Sequence, residues 1–286
     1  MAPLSSNPDF PVKYHAFPWK GTQEEWISPK LRSIAQQLRG YRAPPESAAD
    51  EEGPGGVTSS VGMPASVASI NDLKLFPTKK RAAVLVCLHQ TPEGELRVTL
   101  TKRAGTLSSH SGEVALPGGK RDEEDVDDAA TALREAREEI GLDPSHVRVI
   151  AHLEPFLSKH LLGVIPVIGL LDDMRNYNPK PNPGEVESVF EAPLEMFLKE
   201  SDKHWWKERE WLGVKYRVHF FDYATPAGQK FLIWGLTASI LIRTASLIFE
   251  REPDFEEYSP DVKAVLKSSE GSIDRSDTTD GNNADK

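Results

Sequence analysis

Between Lys79 and Glu250 the spacing of apolar residues changes several times, and each change marks an element. "RAAVLVCLHQ" and "ELRVTLTKR" are short runs rich in Val and Leu, joined by the turn-forming "TPEGE", and predict two strands. "VRVIAHL" and "LGVIPVIGLL" predict further strands, and "KYRVHFFDYA" with "FLIW" a second hairpin. Helical spacing replaces alternation in three places. Leu31, Ile34 and Leu38 recur on one face of "SPKLRSIAQQLRG", "GLTASILIRTASLIFE" is apolar almost throughout, and "DAATALREAREEIGL" carries a narrow apolar stripe. Strands before, between and after helices predict an α/β layered domain. The expected organisation is an N-terminal extension over 1–78, a globular domain over 79–255 and a polar tail over 256–286. Within the extension, "APPESAADEEGPGGVTSSVGMPAS" reads as a mobile loop.

The third helix poses the chemical question. Asp125 or Asp127 is a suitable N-cap, and Gly141 followed by Asp143-Pro144 is the expected stop. At about 100° per residue, Ala129, Leu133, Ala136 and Ile140 form the apolar stripe. Glu135, Glu138 and Glu139 share another arc, largely facing away from it. Like charges at i,i+3 or i,i+4 cost a helix about 0.2–0.5 kcal/mol per pair, so solvent or a cation must relieve them. Oxygen-only donors on one helix suit a hard cation such as Mg²⁺ or Mn²⁺, which also attracts phosphate oxygens. Arg134, at the edge of the arc, can pair with Glu138 at i+4. Just upstream, Gly118-Gly119 in "LPGGKRDEED" allows a sharp turn and a close backbone approach.

Composition narrows the classes. The formal net charge of −10 over 286 residues argues against a general nucleic-acid surface. No apolar run reaches 18 residues, so no membrane span is expected. Cys87, the only cysteine, excludes a disulfide framework or zinc cluster and reads as a core residue. The opening "MAPLSSNPDFPVKYHAFPWK" has no arginine and resembles neither a secretory signal nor an Arg-rich transit peptide. A cytoplasmic location is therefore expected.

The stretch "GGKRDEEDVDDAATALREAREEIGL" resembles the Nudix box, G-x5-E-x7-R-E-U-x-E-E-x-G-U with U apolar. Gly119, Arg134, Glu135, Ala136, Glu138, Glu139, Gly141 and Leu142 match. Asp125 stands at the first Glu position, one residue further from Arg134, as is usual in the coenzyme A diphosphatase branch. Upstream, "TLTKRAGTLSSHSGEVALPGG" is similar to that branch's L-L-T-x-R-[SA]-x3-R-x3-G-x3-F-P-G-G. Leu100, Thr101, Arg103, Ala104, Gly112, Pro117, Gly118 and Gly119 match; Ser108 replaces the second Arg. "EPFLSKH" and "IWGLTA" also resemble the plant members.

The resemblance implies a Nudix fold, an α/β/α sandwich with a mixed sheet, and metal-dependent cleavage of a diphosphate. Glu135 and Glu139 are then the principal ligands of Mg²⁺ or Mn²⁺. Glu138 is a third ligand or acts through water, and the Gly119 carbonyl is a further one. Arg134 and Glu138 fall to catalysis, and Arg103, Lys102, Lys120 and Arg121 to substrate phosphates. The implied substrate is coenzyme A, free or acylated, cleaved to 3′,5′-ADP and 4′-phosphopantetheine. ADP-ribose, NADH, a dinucleoside polyphosphate, or nucleotide binding without turnover are the alternatives. Glu185 and Glu187, in "NPGEVES", are outside candidates for the general base but read rather as solvated loop residues, and His110 and His160 as ordinary histidines. Trp205, Trp206 and Trp211 read as packing residues rather than a stacking platform for a base. No nucleic-acid or membrane partner is expected, and the sequence leaves room for a homodimer.

Overall fold

The computed structural model describes residues 28–39, 41, 81–107, 109–158, 162–171, 177–211 and 214–257. Ser108, His160, the 43–66 loop and the tail beyond 257 lie outside the described residues.

The main sheet has eight strands: β1 (Arg81–Gln90), β2 (Leu96–Arg103), β3 (Val114–Ala115), β4 (Gly118–Lys120), β5 (Val147–His152), β6 (Phe156–Leu157), β7 (Gly163–Leu171) and β8 (Val186–Pro193). Its central path runs β3-β2-β1-β7-β5, with β4 on β1, β6 on β7 and β8 on β2. β1 and β7 are parallel and the other pairs antiparallel, so the sheet is mixed. β1 alternates between two cores, as its period-2 geometry requires. Ala83, Leu85 and Cys87 pack under helix α2 (Asp128–Ile140), whereas Ala82, Val86 and Leu88 belong to the opposite layer.

That opposite layer holds helix α1 (Pro29–Leu38), helix α3 (Gly235–Phe249) and a 3-10 turn at Leu194–Leu198. Leu31, Ile34 and Leu38 of α1 join its core, so this part of the N-terminal extension is packed on the domain. Ser28 caps α1, accepting from the Leu31 N–H at 3.1 Å.

A second sheet of three antiparallel strands, order β11-β10-β9, is built from β9 (His204–Trp211), β10 (Val214–Ala224) and β11 (Lys230–Trp234). One face turns Phe221, Phe231 and Ile233 into the core. On the other, Trp205, Phe220 and Trp234 stand opposite one another across the three strands. The expected sandwich is thus present, with helix on one face of the sheet and helices plus a small sheet on the other. None of the described helices is long and apolar enough to cross a membrane.

Candidate active site

Helix α2 is fixed at both ends. Asp127, not Asp125, is its N-cap and accepts from the Ala130 N–H at 2.8 Å. Gly141 closes it in the left-handed region at φ 66°. Asp125 has a different task. Its carboxylate takes two hydrogen bonds from Arg134, both at 3.0 Å, and another from the Thr131 hydroxyl at 2.9 Å. Burial pushes the Asp125 carboxyl up, but the hydrogen bonds from Arg134, the Asp122 N–H and Thr131 together outweigh it and hold it below the usual range. The same guanidinium reaches Glu138 at 3.1 Å, Glu135 at 3.1 Å and the Lys120 carbonyl at 3.1 Å. Arg134 therefore ties the turn before α2 to the helix and sets the rotamers of two glutamates.

The carboxylates are not equivalent. Glu138 is exposed and held aside by Arg134. Glu135 lies against the backbone of β4: a Cβ at Gly119 would come 2.4 Å from its Cδ, so a side chain there would displace this carboxylate. Burial raises the Glu135 carboxyl pKa, Arg134 lowers it, and Glu138 and Glu185 raise it further. Glu139 is 4% exposed, although the helical wheel places it away from the apolar stripe. Its cover comes from elsewhere in the chain: the Gly118 N–H donates to it at 3.1 Å, and Arg103 approaches to 3.7 Å. Burial drives its pKa up to about 7, against the Gly118 hydrogen bond and Arg103, with Glu135 and Glu185 adding repulsion. Among the described residues, no three His, Cys, Asp or Glu side chains already converge as a cation cage.

Glu185, an outside candidate in the sequence, is brought by the fold beside the α2 carboxylates. Its loop straps the C-terminus of α2: the Lys180 N–H donates to the Ile140 carbonyl at 2.8 Å and the Asn182 N–H to the Glu139 carbonyl at 2.9 Å. The Ala104 N–H then donates to the Glu185 carbonyl at 2.8 Å, at the end of the β2–β8 ladder. This half-buried side chain is placed within electrostatic reach of Glu135 and Glu139. The "NPGEVES" motif held the signal, but the β2–β8 register was needed to interpret it.

The basic residues divide. Arg103 faces Glu139, as stated. Lys102 pairs with the exposed Glu187 at 2.7 Å, near the start of β8. Lys120 is exposed beside the site. Arg121 is engaged by the turn before α2, donating to the Asp125 and Val126 carbonyls at 3.0 Å each and lying 3.7 Å from Asp128. A half-buried Arg103, opposed carboxylates of raised pKa and a glycine-floored approach form an anionic cluster that would bind a cation and, through it, phosphate.

The NUDIX domain model matches residues 79–212. "Nudix hydrolase 15, mitochondrial" of Arabidopsis thaliana is 57% identical over 218 residues, covering 76% of each chain. "Nudix hydrolase 22, chloroplastic" of the same plant is 52% identical over 244 residues, covering 82% of this chain and 78% of that one. "Peroxisomal coenzyme A diphosphatase NUDT7" of Mus musculus is 41% identical over 164 residues, covering 57% and 68%. The first two names overturn the cytoplasmic expectation, since kinship points to organelles. A lone cysteine and an arginine-free opening do not separate the cytoplasm from an organelle interior. The box on α2, the family model and these relatives agree: the chain belongs to the Nudix hydrolases, enzymes that cleave phosphorus anhydrides and generally need divalent metal cations.

Proposed function

We propose that this Nudix domain hydrolyses coenzyme A, free or acylated, to 3′,5′-ADP and 4′-phosphopantetheine. The observation that carries the reading is Arg103. It belongs to the upstream motif of the coenzyme A branch and stands 3.7 Å from Glu139 of the Nudix box. The mouse relative's name supports the same substrate. Residues 79–255 form the catalytic unit on this reading, with α1 bracing its far side.

The donor set fits Mg²⁺ or Mn²⁺. Glu135 and Glu139 are carboxylates whose ionisation is opposed by burial and by each other, a cost that a cation removes. They would hold it, with the Gly119 carbonyl beside them and Glu138 reaching in from Arg134. When bound, the ion would neutralise the diphosphate and acidify water near neutral pH. Arg103 would orient a phosphate as a charge-assisted donor, and Lys120 would add positive charge at the rim. Arg134 acts by fixing Glu135 and Glu138, not by meeting substrate. Glu185, whose charge acts on Glu135 and Glu139, would be the loop carboxylate to take the proton from the attacking water.

The test is turnover of coenzyme A beside ADP-ribose, NADH and a diadenosine polyphosphate, under Mg²⁺ and under Mn²⁺, with products identified by mass. Release of 3′,5′-ADP from coenzyme A faster than any competitor reacts is expected. Preference for another nucleotide would replace the substrate while keeping the site. Ser108, where the motif has Arg, is the residue favouring that second reading.

A further inference from the structure

A cleft beside β11 lies outside the carboxylate site, and the two sites share β2. Neighbouring residues on a strand project to opposite faces. Arg103 points to Glu139, and Lys102 instead lines a cleft of about 240 Å³. Its other walls are Gly112, Glu113, Lys230, Leu232 and Trp234. The Thr237 hydroxyl, donating to the Val114 carbonyl at 3.2 Å, ties the start of α3 to this wall.

Trp234 is also the end of an aromatic stack. Trp205 and Phe220 lie 3.9 Å apart between centroids with planes 1° apart, and Phe220 and Trp234 lie 5.5 Å apart at 4°. Trp205 is the buttress, fixed by a hydrogen bond to Asp222 at 3.1 Å, with Lys207 5.2 Å from its ring. The stack gives Trp234 a fixed orientation at the cleft wall. Exposed Leu232, at 38%, adds apolar surface. Charge is distributed unevenly. Lys102 is paired with Glu187, and Glu113 with His110 at 2.8 Å, whereas Lys230 is exposed and has no ion pair among the described residues.

We propose that this cleft is a specificity subsite for the nucleoside end of the substrate, with the base continuing the stack on Trp234 and a phosphate monoester on the ribose meeting Lys230 and Lys102. It rests on the coenzyme A reading, because that substrate carries a flat base and a ribose 3′-phosphate beside its diphosphate. Strong base stacking needs an oriented ring, which the Trp205–Phe220 buttress supplies. Phosphate recognition needs a cation with free valence, which Lys230 supplies. The two lysines would draw the ribose phosphate to one side of β2 while Arg103 orients the diphosphate on the other.

Direct binding tests the cleft without turnover. Quenching of tryptophan fluorescence by 3′,5′-ADP and by 5′-AMP is measured in the whole chain and in Lys230→Ala and Trp234→Leu. Lys230→Ala is expected to weaken 3′,5′-ADP about tenfold or more and to leave 5′-AMP unchanged. Trp234→Leu is expected to weaken both nucleotides and to remove most of the quench. In steady state, Lys230→Ala should raise KM for coenzyme A by a similar factor with kcat unchanged, and should not alter KM for 3′-dephospho-coenzyme A. Equal 3′,5′-ADP binding by the parent chain and Lys230→Ala would overturn the subsite. The substrate reading fails separately, if the parent chain prefers another diphosphate, because the binding arm needs neither metal nor reaction.

Discussion

Helices α2 and α3 cover opposite faces of one sheet and are stabilised by opposite means. α3 is apolar nearly all round, starts at Trp234 without a side-chain cap and derives its stability from burial. α2 is polar on average; it is held by its Asp127 and Gly141 caps, by the Arg134 network and by a narrow stripe over β1. A helix secured at its ends and edges can give the rest of its surface to carboxylates whose own burial is unfavourable. α3 cannot, and its one charged core residue shows what that requires. Arg243 donates to Glu154 at 2.7 Å and to the Tyr41 hydroxyl at 3.1 Å, and that hydroxyl donates to Glu154 at 2.8 Å. The clustered charge of the candidate site thus sits where local hydrogen bonds, more than packing, hold the backbone.

The contrast makes graded predictions. Glu139→Gln removes a buried carboxylate but keeps an acceptor for the Gly118 N–H. Turnover should fall about a thousandfold or more, equivalent to about 4 kcal/mol, while thermal stability stays level or rises. A lower melting temperature would show that α2 depends on its carboxylates. Arg243→Met on α3 should cost about 3–5 kcal/mol in denaturant unfolding, because Glu154 is left charged and buried. Adding Glu154→Leu should restore much of that; a double variant as unstable as the single would refute this account.

The apolar layer beneath α3 should also resist protons. His219 is buried with its Nδ1 3.0 Å from the His204 Nε2 and its ring centroid 5.0 Å from that of Phe255. Burial, then His204 and Arg217, lower its pKa to about 4. The folded pKa lies below the unfolded one, so the unfolded chain binds the extra proton between them. Stability should therefore fall from about pH 6.5 to about pH 4, by about 3 kcal/mol, and level off below. His219→Phe should flatten that slope in melting curves. Smallest is Asp127→Ala, at about 1 kcal/mol in the same unfolding assay, with loss of the bond to Ala130.

Local pattern was enough where the determinants are local. The α2 caps, the Arg134–Glu138 pair, the buried faces of α1 and the β10–β11 hairpin all follow from residues within a few positions of one another. The burial of Glu139 could not be read that way, because Gly118 and Arg103, 21 and 36 residues upstream, provide its cover. Glu185 needed the β2–β8 register. The aromatic stack needed three strands in alignment, two of which place Phe220 and Trp234 far from "HWW" in the sequence. Two- and three-residue strands such as β3, β4 and β6 are too short to carry a period.

The outer edge of β9 carries "KERE" at positions 207–210, all exposed. Alternation puts Lys207 and Arg209 on one face and Glu208 and Glu210 on the other. Were a second copy to add its own β9 antiparallel to this edge, residues of the same face would stand opposite, so cation would meet cation and anion would meet anion. The strand thus refuses its own image. At high concentration, like-charge pairing therefore opposes the growth of extended sheets through this edge.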